Sequence, residues 1–267
     1  MKLDVVLKAA ELPPLAKRDL SKTACVVFDI LRATSTFVTA LRNGAKEIIP
    51  VSEISEALAI KKKRTSVLLG GERHGVKIHA DGIDFDVGNS PREYTKEKVF
   101  GKTIVSTTTN GTRAFRAVAN AKTVLAGSFL NLGATTKYIE QQNFENLLLV
   151  CAGTGEDAAL EDILAAGALC DLLSTNRAME IPSDAAQIAL HAFNNARSNL
   201  GAAVFNSQNA RRLSGIVELQ GDVEFCLQRD TYPLLVAMNA NGCIHKAHTS
   251  SSNFASLSAA TSSAYSG

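Results

Sequence analysis

Three times in this chain an apolar run of strand character ends in a turn of small polar residues that opens a helix. The runs are ACVVFDILRATSTF at 24–37, GKTIVSTTTNGTRAF at 101–115 and LLLVCAGTGEDAALED at 147–162. No other feature limits the possible folds as much. In a parallel sheet the carboxyl ends of the strands lie on one edge, and ligands bind there. Each following helix presents free backbone N–H groups and the positive end of its dipole. Three such junctions side by side make an anion site. Arginines follow two of the turns, Arg32 and Arg113, and carboxylates sit at two, Asp29 and the group Glu156, Asp157, Glu161 and Asp162. That is the composition expected where a metal ion and a phosphate meet.

The rest of the chain repeats the alternation. Strand-like runs fall at 2–7, 24–28, 47–51, 66–69, 103–106, 123–126 and 147–150, with helical periodicity at 34–43, 54–63, 112–120 and 132–141. Alternating strands and helices predict an α/β fold, a three-layer α/β/α sandwich on a largely parallel sheet. The segment 158–174 is apolar nearly all round, which predicts a buried helix, and 182–197 and 201–213 add more. Residues 232–246 return to strand character around Asn241-Gly242, a hairpin expected to pair at an edge and leave the sheet mixed there. Residues 70–98, rich in Gly, Asp and His, read as a long irregular binding loop. Residues 1–248 are expected to form one domain, and the Ser/Ala-rich 249–267 a disordered tail.

Composition excludes several classes. The hydrophobic fraction of 46% and charged fraction of 20% are those of a globular protein. A net charge of +2 is too small to argue for nucleic acid or an anionic membrane surface. No apolar run approaches the roughly 18 residues that span a bilayer, and the N-terminus lacks a secretory pattern. Five cysteines without metal-ligand spacing read as reduced thiols of a cytoplasmic protein. The apolar helices leave room for a homodimer.

Individual residues carry the chemistry. Asp29 leaves a buried strand at its carboxyl end, where a carboxylate can ligate a metal or act as base or nucleophile; Thr34, Ser35 and Thr36 are better caps for the next helix. The paired donors of Arg32 suit phosphate, carboxylate or sulfonate. The run 106–113 holds five hydroxyls, a glycine and an arginine, more than one helix cap requires, and favours an oxyanion. It lacks P-loop spacing, so nucleotide binding is not indicated. Cys151 reads more readily as a small buried strand residue than as a thiolate at a helix N-terminus. Glu161 and Asp162 begin an apolar helix, so at least one should meet a cation, an arginine or a hard metal such as Mg2+. His74 and His79 have no third ligand at a recognisable spacing, and Glu72-Arg73 can close over an anion.

In order along the chain, VVFDILRATST (26–36), GGER (70–73), FDVGNSP (85–91), TTNGTRA (108–114), CAGTG (151–155), LED (160–162) and CLQRD (226–230) resemble the 2-phosphosulfolactate phosphatase family. Asp84 stands where that family usually has glycine. The resemblance implies a Mg2+-dependent phosphomonoester hydrolase that converts 2-phospho-3-sulfolactate to sulfolactate and phosphate, a step in coenzyme M synthesis. The expected site then has Asp29, Arg32, Arg113 and Glu161 as catalytic residues. Thr34, Ser35, Arg73, Asn89, Ser90, Thr109, Asn110, Gly111, Thr112 and Gly153 are expected to bind a small phosphorylated anion. Asp29 and Asp162 are expected to hold Mg2+, with Glu161 as their support or as general base. The nucleophile stays open between metal-activated water, Asp29 and Cys151. One rival is an aspartyl-phosphate hydrolase of the haloacid dehalogenase kind, which needs a second acid where Leu31 stands. The other is a non-catalytic anion sensor, which gains nothing from clustered acids.

Overall fold

Alternation along the buried strands builds the layers. In the strand Thr23–Phe28, Val26 and Phe28 face one core while Cys25 and Val27 face the other; in Asn146–Cys151, Leu147 and Leu149 oppose Leu148 and Val150. Side chains alternate across a sheet, so a strand apolar at every position is covered on both faces. The helices Leu160–Arg177 and Asp184–Ala196 cover one face, and Ala33–Arg42 and Gly111–Ala117 the other. The computed structural model describes residues 1–177 and 183–247, and the expected tail lies outside them. No described helix is long and apolar enough to cross a membrane.

The strands in chain order are β1 Lys2–Val6, β2 Thr23–Phe28, β3 Glu47–Pro50, β4 Leu68–Arg73, β5 Val76–Lys77, β6 His79–Ala80, β7 Ile83–Asp84, β8 Thr103–Thr107, β9 Thr123–Gly127, β10 Asn146–Cys151, β11 Leu235–Met238 and β12 Ile244–Ala247. Ten form one sheet in the order β1-β10-β2-β9-β11-β12-β3-β8-β4-β5, and β6 and β7 pair separately. The fold is an α/β sandwich, as the alternation predicts. Two parallel blocks compose the sheet, β1-β10-β2-β9 and β3-β8-β4.

The C-terminal hairpin differs from expectation. β11 and β12 do not sit at an edge; they are antiparallel strands inserted between the two blocks. Every residue of β11 but the last is buried, which an edge strand rarely needs. The edge is mixed for another reason: β5 turns back on β4. Three antiparallel steps separate β9 from β3, so the blocks run in opposite directions. Their carboxyl ends still meet, across the helix Ala33–Arg42, which contacts β9, β12 and the helix Gly111–Ala117 and buries its first nine residues. A Cβ on Gly111 would stand 2.6 Å from the Ala33 Cβ and 2.7 Å from Asp29 Oδ2. No larger residue fits between the two junctions.

Three local departures shape the site. The expected loop at 70–98 begins as strand: β4 runs to Arg73, and His74-Gly75, both at positive φ (54° and 85°), make the two-residue reversal into β5. Positive φ at both central positions suits the twist of a tight hairpin. The helix expected at 201–213 breaks in two, Leu200–Phe205 and Gln208–Ser214, because Ser207 caps the second piece by accepting from the Ala210 N–H at 3.2 Å. The helix expected at 158–174 is Leu160–Arg177 and is buried as predicted.

Asn131 ties the inserted hairpin to its neighbour. This fully buried amide donates to Ala126 O and Leu234 O, both at 3.2 Å, and accepts from the Ser128 N–H at 2.9 Å. Replacing it by leucine leaves three buried backbone groups unmet. Asn131→Leu is expected to lower stability by about 1–3 kcal/mol, read as a fall of several degrees in Tm. An unchanged Tm would show that the hairpin is held by its apolar contacts alone.

Candidate active site

The three junctions converge on a cleft of about 230 Å³. Asp29 enters it from the end of β2, Thr109 and Asn110 from the end of β8, and Thr154 and Gly155 from the end of β10. Glu72 comes from the end of β4 and Gly75 from the β4–β5 turn, Asn89 from the segment before the turn Pro91–Glu93, and Arg212 from the helix Gln208–Ser214. Glu161 and Asp162 lie buried behind Asp29 at the start of the helix after β10.

Charge is badly out of balance here. Among the described residues the buried charged side chains are Asp29, Glu72, Glu161, Asp162 and Asp222 against Arg32 alone. Asp222 is accounted for: it accepts from Arg32 Nη1 at 2.6 Å, Ser90 Oγ at 2.7 Å and the half-exposed Arg92 Nε at 2.8 Å. Four buried carboxyls remain without a cation, and burying an unpaired carboxylate is costly.

Backbone amides meet part of that cost. Asp162 accepts from Ile30 N at 2.8 Å through Oδ1 and from Gly153 N at 3.1 Å through Oδ2. Glu72 accepts from Thr109 N at 2.7 Å and Gly75 N at 2.6 Å. Asp29 Oδ1 accepts from Ala33 N at 3.1 Å. Glu161 Oε1 accepts from Asn209 Nδ2 at 2.6 Å, while its Oε2 is buried without any partner. Burial, then the neighbouring Glu72 and Glu161 charges, push the Asp29 carboxyl from its ordinary 3.8 up to about 7, against the pull of the Ala33 N–H and of the Arg32 charge. Burial first, and then Asp29 and Glu161, also hold Asp162 well above the usual carboxylate range.

The structure keeps some expected site residues at the cleft and ties others elsewhere. Asp29, Arg32, Asn89, Thr109 and Asn110 line it. Arg32 is nonetheless spent on Asp222 and, through Nη2, on Gly75 O at 2.7 Å. Arg73 donates to Glu72 O, Ser52 O and Thr107 Oγ1 and braces β4 against β8. Arg113 straps the outer rim, donating to Gly155 O at 3.1 Å and Glu156 Oε1 at 2.9 Å. The hydroxyls of Thr34, Ser35 and Thr112 bond the carbonyls of Asp29, Ile30 and Thr108, and Ser90 serves Asp222. Gly111 is needed for close approach. Gly153, at φ 72°, supplies an N–H to Asp162, and a Cβ there would stand 2.2 Å from Asp157 O.

Cys151 is fully buried, and burial followed by the Asp162 charge pushes its thiol well up, so no thiolate forms there. All five cysteines are free, four of them buried. Two site residues drew no attention in the sequence, Asn209 and Arg212. Their only signal is an i,i+3 spacing on a helix whose start the run 201–213 conceals.

An α/β sandwich that gathers unpaired carboxyls and helix N-termini around a phosphate-sized cleft belongs with enzymes that act on phosphorylated anions. The sequence profile of 2-phosphosulpholactate phosphatase matches residues 11–241. A probable 2-phosphosulfolactate phosphatase of Caldicellulosiruptor saccharolyticus is 43% identical over 218 residues, 79% of this chain and 87% of that protein. The protein of the same description from Thermotoga maritima is 43% identical over 213 residues, 80% of this chain and 88% of its own. The one from Clostridium tetani is 36% identical over 248 residues, 91% of this chain and all of its own. The chain belongs to the 2-phosphosulfolactate phosphatase family.

The raised Asp29 carboxyl has a consequence for stability. A group whose pKa is higher in the folded state stabilises the fold below its unfolded value and loses that contribution as pH rises through its folded value. In chelator, Tm is expected to fall as pH rises from about 4 to about 7, the window set by 3.8 and about 7. Asp29→Asn should flatten the profile across that window. A metal-free protein equally stable at both ends would mean that Asp29 is ionised without penalty.

Proposed function

We propose that this protein hydrolyses the phosphomonoester of 2-phospho-3-sulfolactate, or of a closely related 2-phospho-hydroxycarboxylate, to the hydroxyacid and inorganic phosphate. The observation that carries this reading is the excess of buried carboxyls at the junction of β2, β8 and β10. An anion receptor would place cations there. Carboxyls kept against their desolvation cost suit a divalent cation that an incoming phosphoryl group shares. The family membership and the names of the relatives support the same reaction.

The residues fit Mg2+. Among the described residues no three of His, Cys, Asp and Glu form a ready metal cage, and Mg2+ at phosphoryl sites takes only one or two carboxylates, with waters and substrate oxygens completing its shell. Asp29 and Glu161 would hold it, since Glu161 Oε2 has no other partner. This shifts the expected role of Asp162: both of its oxygens already accept backbone N–H groups, so it acts as the clamp behind the ligands. When bound, Mg2+ would neutralise charge on the phosphoryl oxygens and acidify a coordinated water.

The chain's own groups would do the rest. The Thr109 hydroxyl is buried with no partner, as is Asn89 Oδ1, and both residues line the cleft. The Thr109 hydroxyl can donate to a phosphoryl oxygen, and Asn89 Oδ1 can accept from the attacking water and hold it in line with phosphorus. Glu72 fixes the Thr109 and Gly75 amides, so the cleft wall is set before substrate arrives. Cys151 takes no part.

Phosphate release from 2-phosphosulfolactate tests the reading. Chelator should abolish it and Mg2+ restore it. Glu161→Gln should raise the Mg2+ needed for half-maximal rate by about 10- to 100-fold, whereas Asp162→Asn should chiefly lower Tm, because its amide cannot accept at both oxygens. Cys151→Ala should remain active. Full activity in chelator, or a Glu161→Gln enzyme with normal Mg2+ demand, would remove the metal from this account.

A further inference from the structure

Of the two arginines that line the cleft, Arg32 and the exposed Arg212, only Arg212 lacks a carboxylate of its own. Arg32 is held by Asp222, Arg113 by Glu156, and Arg73, which does not line the cleft, is spent on Glu72 O, Ser52 O and Thr107 Oγ1. Arg212 lines the cleft, and among the described residues it forms no ion pair; its recorded bond is from Nη2 to Asn209 Oδ1 at 3.1 Å. A guanidinium presents five donors in a fixed fork, so most of its capacity is open.

Asn209 anchors one end of that guanidinium. It is buried, and its Nδ2 donates to Thr154 Oγ1 at 2.7 Å and to Glu161 Oε1 at 2.6 Å. Both amide hydrogens are thereby used, so the carbonyl oxygen must point the other way, toward Arg212. The two residues are three apart on one helix and share a face. Gly75 faces them across the cleft: a Cβ there would lie 3.7 Å from Arg212 Nε, an ordinary contact distance. Glu72 stands between this corner and the phosphoryl side, with one oxygen on the Gly75 N–H and the other on the Thr109 N–H. The cleft thus has an acidic end at Asp29 and a cationic corner at Arg212.

We propose that Arg212 is the specificity-determining residue of the cleft: it binds an acid group that the substrate keeps after hydrolysis, its carboxylate or its sulfonate, and Asn209 orients it for that contact. The inference rests on the phosphatase reading above and extends it. Carboxylate and sulfonate share the chemistry that a guanidinium recognises.

The experiment compares the wild type, Arg212→Ala and Arg212→Lys on three compounds: 2-phosphosulfolactate, 2-phospholactate (no sulfonate) and 1-sulfopropan-2-yl phosphate (no carboxylate). Arg212→Ala should lower kcat/KM for 2-phosphosulfolactate on the order of 100-fold, mainly through KM. For the compound lacking the recognised group, the variant and wild type should agree within about threefold, because nothing remains for Arg212 to bind; which compound that is names the group. Arg212→Lys should recover part of the loss. Equal losses on all three compounds, or no loss on any, would overturn the assignment. Calorimetric binding of sulfolactate itself separates the two readings. A wild type that releases no phosphate but binds sulfolactate through Arg212 keeps the subsite and loses the phosphatase. A wild type that binds sulfolactate no better than Arg212→Ala loses the subsite, whatever its activity.

Discussion

The carboxylate of Asp162 joins the two elements on which everything else in the site depends. One oxygen takes the Ile30 N–H just past β2, the other the Gly153 N–H just past β10. These amides belong to strand ends that no longer have a ladder partner, and unpaired buried N–H groups are costly. A single acidic side chain on the next helix satisfies both. It thereby sets how the chain leaves two adjacent strands, and with that the position of Asp29 beside it. The helix Ala33–Arg42 then leaves β2 with its first nine residues buried, and the hydroxyls of Thr34 and Ser35 bond carbonyls of the same turn.

That arrangement stores an electrostatic problem which the proposed function uses. Burial and the neighbouring carboxyls raise the cost of ionising Asp29 and Asp162, and the nearby Arg32, already paired with Asp222, offsets only part of it at Asp29. The arginines of the region are turned to structure. Arg32 and Arg92 meet on Asp222, which fastens the helix Asp222–Cys226 to the floor of the cleft, and Arg113 spans two junctions at the rim. The fold puts its cations on the walls and its carboxyls at the centre, and the proposed Mg2+ site rests on that arrangement.

Much of this was legible in the chain. The three strand-to-helix junctions, the α/β alternation and the converging Asp29, Glu161 and Asp162 follow from local pattern, because a buried strand that ends in small polar residues has few alternatives. Residues whose roles depend on distant partners were not legible. Arg113 and Arg73 look like anion ligands beside their turns, yet Glu156 and Thr107 take them in three dimensions. Thr34 and Ser35 look free and are consumed by backbone carbonyls within their own turn. Asn209 lies 48 residues from Glu161 in sequence, and it and Arg212 sit on a helix whose cap, Ser207, is hidden inside an apparently continuous run. The hairpin of β11 and β12 carries no sign of its central place, since strand order is set by which edges remain unpaired once the βα units have docked.

Proton release on metal binding tests the central claim most directly. If the buried Asp29 carboxyl is kept for a cation, Mg2+ must displace its proton whenever the pH lies below about 7. Calorimetric titration of Mg2+ near pH 6, in buffers of different ionisation enthalpy, counts the protons released. The account predicts release of a proton fraction that shrinks as pH rises past 7 and disappears in Asp29→Asn, together with weaker binding at lower pH. Mg2+ binding with no proton release, or release that persists unchanged in Asp29→Asn, would contradict it.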